Sequence, residues 1–452
     1  MKKVHIISIG GAVMHNIAIQ LARKGYEVTG SDDILFDPSR GRLKEAGLLP
    51  DELGWDADRI HSGLDFIILG MHAKADNPEL IRAQELNLKI YSFPSFIREQ
   101  AKDQKRIVVA GSHGKTTTAS MIVHILNKLG IKSDHLIGAQ LDGVEDIVTF
   151  HGHPYYIIEG DEYPSSAIDP RPKFLHYDPD FLIITGIAWD HMNVFPTYES
   201  YFQSFESLIE SIDPDCTVIY NAQDEEVVRL MEQFSHKNAI PYSHLDYEVQ
   251  SGKYIVDKKY EMNIIGAHNI ENLTAAVTLC HALGIGQDDS LTVSQSFRGA
   301  ARRLQPLLSG AYGNAYLDFA HAPSKVRASV KAVDSLHPQN NLLAVLELHT
   351  FSSLNRDFLP QYQGALDQAQ KAVVMFDSKI MANKNMPPLD DEIIYSSFGR
   401  RDLTIVRSGE ELNRALDKLI PREKEKTDVL FMSSGSFGGI DLKKKLLELW
   451  NM

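Results

Sequence analysis

The sequence predicts an α/β protein built on mostly parallel sheets with helices over their faces, and three observations carry that prediction. Short apolar runs alternate with amphipathic stretches along nearly the whole chain. Glycine turns follow directly on two of those runs and lead into helical stretches, as where a parallel strand hands over to its helix. The chain has 452 residues, which at roughly 150 residues per domain makes about three domains.

In chain order the strand-like runs are Val4–Ile9, Glu27–Gly30, Phe66–Leu69, Arg106–Ala110, Tyr155–Ile158, Phe181–Thr185 and Thr217–Tyr220, then Ala315–Asp318, Leu342–Glu347, Ala372–Phe376 and Asp428–Met432. Helix-like stretches between them include Met121–Leu129, Glu226–Phe234, Asn272–Leu283 and Lys325–Leu336. Strands alternating with helices read as parallel sheets covered on both faces. A polar segment, Glu99–Lys105, precedes the strand at Arg106, and a second break falls near Arg302–Pro306. The expected domains are 1–104, 105–305 and 306–452. The run Arg422–Lys426 mixes both signs and reads as a solvated loop. Lys443–Lys445 is placed near the C-terminus of a last helix, where cations complement the helix dipole.

The formal net charge is -14. That argues against a nucleic-acid partner held by a broad basic face, since such a face needs Lys and Arg to displace counterions from phosphate. Small anions, which need only a few local donors, stay admissible. The two cysteines, Cys216 and Cys280, are far apart and lack metal-ligand spacing, so neither a disulfide framework nor a zinc site is expected. Apolar runs fall short of the ~18 residues of a membrane span, and the opening run to Ile9 is cut by Gly10-Gly11 too early for a signal-peptide core. The expectation is a reduced, cytoplasmic protein.

Ile107–Ala110 runs into Gly111-Ser112-His113-Gly114-Lys115-Thr116-Thr117, and a helical stretch follows. Strand, glycine turn, Lys-Thr and helix together suit a triphosphate. Glycines let backbone N–H groups turn inward, a helix N-terminus favours anions, Lys115 brings a point charge and the Thr116 hydroxyl can reach Mg²⁺. The motif is a compact GxxGKTT, since Val109 stands where the generic phosphate loop begins with glycine. ATP with Mg²⁺ is the expected ligand.

Ser8-Ile9-Gly10-Gly11-Ala12-Val13-Met14 follows the first strand, and Gly30-Ser31-Asp32 ends the second. This is a Rossmann-like turn with an acid where a ribose is often met. Ser8 and Val13 replace the first and third glycines of the dinucleotide fingerprint. The turn therefore has three readings: a nicotinamide cofactor, close packing alone, or the diphosphate of another nucleotide. Further on, Glu159-Gly160-Asp161-Glu162 ends one strand and Asp190-His191-Met192-Asn193 follows the next. Carboxylates and imidazole at adjacent strand ends collect at the ligand-binding edge of a parallel sheet. Beside a phosphate loop they read as metal ligands, Mg²⁺ taking oxygen donors and tolerating one histidine.

These motifs, in this order, resemble the Mur ligase family, ATP-dependent amide-forming enzymes of peptidoglycan metabolism. The resemblance runs over essentially the whole chain. It continues through Gly266-Ala267-His268-Asn269-Ile270-Glu271-Asn272, Phe297–Arg303 and Asp318-Phe319-Ala320-His321. It implies a Rossmann-like N-terminal domain, a central P-loop ATP-binding domain and a Rossmann-like C-terminal domain. It further implies that Lys115, Glu159 and His191 serve catalysis, with Thr116, Glu159 and His191 on the metal. Gly111, Ser112, His113, Gly114, Lys115, Thr116, Thr117, His268, Asn269, Asn272, Arg302, Arg303 and Asp318 are implied in nucleotide binding. Gly10, Gly11, Met14, Asp32 and His72 are implied at a UDP-sugar.

Within the family, Gly70–Lys74 with Asp76-Asn77-Pro78, the long stretch from Glu162 to Tyr177, and Met432–Gly439 resemble the members that ligate UDP-N-acetylmuramate to the murein tripeptide L-Ala-γ-D-Glu-meso-diaminopimelate. The implied reaction has the lactyl carboxylate attack the γ-phosphate of ATP, and the acyl phosphate is then taken by the tripeptide's L-Ala amine. His349, Ser434, Ser436 and Phe437 are implied on the peptide side. Two positions depart from the family pattern. Ala322 replaces the second histidine of a His-His-Pro motif, and Ser353 stands where the alanine-adding members carry an arginine. A free amino acid's α-carboxylate favours a bidentate arginine, so Ser353 weakens the alternative of single L-alanine as acceptor. A binding module without turnover, for nucleotide or UDP-sugar, is a remote third reading.

Overall fold

The computed structural model describes the chain except residues 140–145, 235–237, 251, 300–301, 385, 421–425 and 451–452. Of the mixed-sign run, Arg422–Glu425 lies outside the described residues. Three main sheets form. The first takes β1 (Lys3–Ile7), β2 (Glu27–Ser31), β3 (Phe66–Leu69) and β4 (Ile90–Ser92) in the order β2-β1-β3-β4, all parallel. The second uses β5 (Lys105–Ala110), β6 (Ser133–Leu136) and β7 (Tyr155–Glu159). After a small hairpin, β8 (Pro164–Ser166) with β9 (Asp169–Pro172), it adds β10 (Phe181–Ile184), β11 (Thr217–Asn221) and β12 (Ala239–Tyr242). Its order, β12-β11-β10-β5-β7-β6, is again all parallel.

A three-stranded antiparallel sheet follows, β13 (Tyr247–Gln250), β14 (Lys253–Val256) and β15 (Tyr260–Met262). The last sheet holds β16 (Gln305–Gly310), β17 (Gly313–Asp318), β18 (Asn341–Leu348), β19 (Lys371–Phe376), β20 (Thr404–Val406) and β21 (Thr427–Met432) in the order β16-β17-β21-β18-β19-β20. Only β16 runs antiparallel there.

The central strands are apolar on both sides because helices cover both faces. Ile107, Val108 and Val109 are fully buried, as are Leu343, Val345 and Phe431. Helix starts are written in polar side chains. Asn77 caps Pro78–Glu85 by accepting from the amides of Glu79 and Leu80, Asp224 caps Glu225–Gln233, and Ser408 caps Gly409–Leu419. Contacts divide the chain into two compact units. One comprises Met1–Ile187 with Phe202–Tyr242 and Thr278–Ile285, and so contains the first two sheets. The other comprises Ala188–Tyr201 with Ser243–Val277 and Gly286–Met452, and contains the last two.

The eleven expected strands are all present to within two residues at their ends. One expectation is corrected. Lys443–Lys445 lies in the first turn of the last helix, Leu442–Leu449, not near its end. Asp441 caps that start by accepting from the Lys444 amide at 2.9 Å, and the Lys445 ammonium meets Asp417 at 2.8 Å, so local carboxylates offset the unfavourable dipole. Both cysteines are buried, and burial pushes the Cys216 thiol up to about 12. Among the described residues no helix is long and apolar enough to cross a membrane.

Phe431 is fully buried at the middle of the C-terminal core, with Phe437 and Trp450 in the same cluster. Phe431→Ala is expected to cost about 3–5 kcal/mol in denaturant melts; an unchanged midpoint would contradict this placement.

Candidate active site

The chain leaves β5 at Ala110, turns through Gly111 at φ +131° and Gly114 at φ +77°, and enters the helix Lys115–Lys128. Gly111 is required by space as well as by φ, since a Cβ there would stand 2.2 Å from Thr185 Oγ1 and 3.0 Å from Gly186 N. Neighbouring strands strap the turn. The Ser112 amide donates to Gly186 O at 2.9 Å, and the Thr185 hydroxyl donates to Ala110 O at 3.1 Å and to His113 O. Asn221 Nδ2 in turn donates to Thr185 O at 3.1 Å. Gly114 offers the helix no side-chain cap, and no acid stands in its first turn. The helix dipole at that end therefore favours an anion.

Lys115 Nζ donates to Gly111 O at 2.6 Å and to Glu162 Oε2 at 2.7 Å, and Glu162 is wholly buried. Burial alone would lower the ammonium's pKa. Glu162, with Asp161 and Glu159, outweighs that and raises it, so Lys115 stays charged. The Thr116 hydroxyl donates to Glu159 Oε1 at 2.6 Å, and the Gly138 amide donates to Glu159 Oε2 at 2.7 Å. Ammonium, hydroxyl and carboxylates thus meet at the C-terminal edge of the central sheet. Asp161 is held separately, by Lys173 Nζ at 2.5 Å.

At the first sheet, the Gly10 amide donates to Asp32 Oδ2 at 2.7 Å and the Asp33 amide to Asp32 Oδ1 at 3.0 Å. Burial pushes the Asp32 carboxyl up, against the pull of the Gly10 amide. Asp32 and Gly10 therefore come together as expected, with Gly11 beside them opening the helix Ala12–Arg23. Met14 is buried and His72 is exposed. Sequence reasoning missed what lies next to this turn. His15 Nδ1 is 2.8 Å from Gly11 O, Arg42 donates to Asn16 Oδ1 at 2.7 Å and to Asp146 Oδ1 at 3.0 Å, and Arg23 also pairs with Asp146. The one trace of it in the sequence is the polar pair His15-Asn16 inside an otherwise apolar helical stretch.

The remaining expected residues belong to the second unit. His191 adopts φ +59°, and its carbonyl accepts the amides of Val194 at 2.8 Å and Phe195 at 2.9 Å. Burial would raise the neighbouring Asp190 carboxyl, but Lys325, at 3.3 Å, with His191 and His321, holds it well below the usual range. Asp318 accepts the Leu304 amide at 3.1 Å and the Ser329 hydroxyl. Arg302, at φ +58°, donates to Ser433 O at 2.9 Å and Gly435 O at 2.6 Å. Its guanidinium and that of Arg303 lie 5.2 and 5.0 Å from the Phe319 ring centre. In the helix Ala267–Ala282, Asn269 donates to Ile265 O at 2.7 Å and Asn272 to Asn269 Oδ1 at 3.1 Å; His268 is half-buried.

Of the residues expected on the peptide side, His349, Ser434 and Ser436 are at least partly accessible, whereas the Phe437 ring is buried against Phe431. The organiser of that loop, Glu347, was not expected. It accepts the Ser433 hydroxyl and the Phe437 amide, the latter at 2.9 Å, and lies 3.9 Å from His349 Nδ1. A buried glutamate near the end of an apolar strand is its only sequence signal.

An uncapped helix start behind a glycine turn, with ammonium, hydroxyl and carboxylates beside it, defines a phosphate-handling α/β enzyme of the P-loop kind. The chain matches the Mur ligase middle domain over residues 109–280 and the Mur ligase family catalytic domain over residues 3–105. It is 28% identical to the UDP-N-acetylmuramate–L-alanyl-γ-D-glutamyl-meso-2,6-diaminoheptandioate ligase of Haemophilus influenzae, over 98% of each chain. It is 30% identical to the UDP-N-acetylmuramate–L-alanine ligase of Caldicellulosiruptor bescii, over 87% of this chain and 88% of the other. Among solved structures, a murein peptide ligase of Psychrobacter arcticus superposes with a TM-score of 0.68 at 21% identity, covering 100% of this chain and 99% of that one. The UDP-N-acetylmuramate–alanine ligase of Thermotoga maritima superposes with a TM-score of 0.72, also at 21% identity and with the same coverage. The chain belongs to the Mur ligase family, whose members are ATP-dependent, ADP-forming amide ligases.

Two outcomes follow from this geometry. Gly111→Ala, strained in φ and in contact with Thr185, is expected to destabilise the chain by about 2 kcal/mol or more, read as a lower denaturation midpoint; a neutral effect would contradict the strapped turn. The second concerns His321, which burial and the nearby Lys325 lower from 6.5 to about 4. Between those values the unfolded chain binds the extra proton. The stability that neutral His321 contributes is therefore complete above the unfolded value and is lost as pH falls through the folded one. His321→Gln should flatten that part of the stability profile, and an identical slope in the variant would count against it.

Proposed function

We propose that this chain ligates the lactyl carboxylate of UDP-N-acetylmuramate to the L-Ala amine of the murein tripeptide L-Ala-γ-D-Glu-meso-diaminopimelate, at the expense of ATP, in peptidoglycan recycling. One observation carries the choice of acceptor. The match to tripeptide-joining relatives runs over 98% of this chain and 97–98% of theirs, in both Haemophilus influenzae and Escherichia coli. The alanine-adding relative covers 87% of it. Ser353, where the alanine-adding members carry an arginine, supports the same reading.

The roles proposed for the residues follow the chemistry. The uncapped helix start and Lys115 hold the ATP phosphates, and Glu162 keeps Lys115 charged and aimed at the turn. Thr116 and Glu159 share a hydrogen bond and are hard oxygen donors, a set that fits Mg²⁺; His191 is the further ligand on its motif alone. When bound, Mg²⁺ would neutralise charge on the transferring phosphoryl group. Lys115 adds a fixed positive charge on the same phosphates, so that a carboxylate can approach an anionic γ-phosphate. The acyl phosphate formed has phosphate as its leaving group, and the tripeptide amine displaces it to give the amide. Gly10, Gly11, Met14, Asp32 and His72 are proposed for the UDP-sugar. His268, Asn269, Asn272, Arg302, Arg303 and Asp318 are proposed for the nucleotide, and His349, Ser434 and Ser436 for the peptide, with the buried Phe437 ring anchoring their loop in the core instead of meeting the peptide as expected. The proposed division of labour is UDP-sugar on 1–104, ATP and Mg²⁺ on 105–305, and incoming peptide with part of the nucleotide on 306–452.

L-alanine as acceptor is the second reading, favoured by the 30% identity to an alanine-adding ligase. An ADP-release assay separates the two. ADP should form only when UDP-N-acetylmuramate and an acceptor are both present, and the tripeptide should support a far higher kcat/KM than L-alanine. A preference for L-alanine would overturn the tripeptide assignment.

A further inference from the structure

The opposite edge of the central sheet, six residues of β5 or about 20 Å from the phosphate turn, carries a second cluster of metal-capable side chains. Asp134 on β6 is fully buried, and the chain segment leading into β7 folds around its carboxylate. Oδ1 accepts the His151 amide at 2.7 Å and lies 3.0 Å from His151 Nδ1. Oδ2 accepts the amides of Gly152 and His153, both at 2.9 Å, and Gln104 Nε2 at 3.0 Å. His153 Nδ1 stands 3.8 Å from Oδ2; it is buried and has no hydrogen-bond partner. The two imidazole rings are 5.1 Å apart and tilted by 31°.

We propose that Asp134, His151 and His153 form a binding site for a divalent transition-metal ion of the Zn²⁺ class, separate from the catalytic centre. The donor spacing supports this. A tetrahedral ion about 2.0–2.1 Å from each ligand holds its donors about 3.3 Å apart; His151 Nδ1 lies 3.0 Å from Oδ1 and His153 Nδ1 lies 3.8 Å from Oδ2, so both imidazoles are within reach of the one carboxylate. The ligand atoms of all three residues lie within 4.8 Å of one another. The backbone amides already fix the carboxylate, and His153 Nδ1 beside it is buried with no hydrogen-bond partner. His151 would give up its hydrogen bond to Asp134 and carry its proton on Nε2.

The donor chemistry selects the metal. A single carboxylate cannot build the six-oxygen shell that Mg²⁺ or Ca²⁺ requires. Two neutral imidazoles and one carboxylate are a set for Zn²⁺ and its neighbours, with the fourth position open to water beside the exposed His151 ring. An ion there would staple the loop before β7 to β6.

The test uses the full-length, metal-stripped protein without nucleotide, so that the Mg²⁺ ligands lack their phosphate partners. Zn²⁺ is titrated by calorimetry, and Co²⁺ is followed by its tetrahedral absorption bands. Wild type is expected to bind one equivalent at this site and to melt at a higher temperature with Zn²⁺. His153→Gln, which removes a nitrogen that makes no hydrogen bond, and His151→Ala/His153→Ala should weaken binding by more than the roughly 10- to 100-fold that loss of an outer partner costs and abolish the thermal shift. Both variants should keep ligase turnover, which shows that they fold, and His153→Gln should also keep the metal-free melting curve; the double variant, which loses the His151–Asp134 hydrogen bond, is compared with itself with and without Zn²⁺. No saturable Zn²⁺ binding by wild type at micromolar concentration would overturn the proposal, as would equal binding by the variants.

Discussion

The buried ammonium of Lys115 is the constraint on which the proposed phosphate site depends. A cation in that position survives only with a counter-charge, and Glu162, itself without exposure, provides it at 2.7 Å. The pair keeps a full positive charge at the start of a helix whose dipole already favours anions. Everything around it is arranged to hold the turn in that one shape. Gly111 and Gly114 supply the left-handed backbone, Thr185 fills the space a Cβ would need, and Asn221 braces Thr185 from the next strand. The glycine turn is therefore a product of β5, β10 and β11 together, since residues at the ends of all three hold it.

The same principle recurs on the other parallel sheets, where the C-terminal strand ends gather the polar residues. On the first sheet, Asp32 follows β2 and accepts the amide of Gly10, which follows β1. On the last, Asp318 ends β17, Glu347 lies near the end of β18, and Ser433 follows β21. Arg302 reaches from the chain before β16 to the carbonyls of Ser433 and Gly435, tying two expected ligand regions into one hydrogen-bonded assembly. An exchange of anions at such edges depends on local donors. The chain's net charge of -14 is thus compatible with anionic substrates, because helix starts, buried lysines and arginines set the field where it matters.

How far the sequence could be read follows from the same physics. The inner strands, buried on both faces, are continuous apolar runs and were legible as such, for example Ile107–Ala110 and Leu342–Glu347. Apart from β2, their edge neighbours were not. Ile90–Ser92, Ser133–Leu136, Ala239–Tyr242 and Thr404–Val406 are short and mixed in polarity, because an edge strand is covered on fewer sides. Of the antiparallel strands from Tyr247 to Met262, the first is mostly exposed and the other two alternate, so they lacked a run long enough to stand out. The phosphate turn was legible because its residue types are dictated locally, by φ and by charge. Glu162 as partner of Lys115, Glu347 under the Ser433 loop, and Arg42 beside Asn16 were not, since each pairing spans dozens of residues or joins separate elements. The Lys443–Lys445 helix end was misread because Asp441 and Asp417 offset a charge placement that the dipole alone disfavours.

The central claim is that Lys115, held charged by Glu162, binds the phosphates of ATP. Calorimetric titration of Mg²⁺-ATP into wild type and into Lys115→Met tests it most directly, because binding is read without turnover. Loss of a charge-assisted phosphate contact predicts affinity about 10- to 100-fold weaker in the variant, measured well below its melting temperature, which should fall because Glu162 loses its partner. Equal affinity in the two proteins would contradict the account.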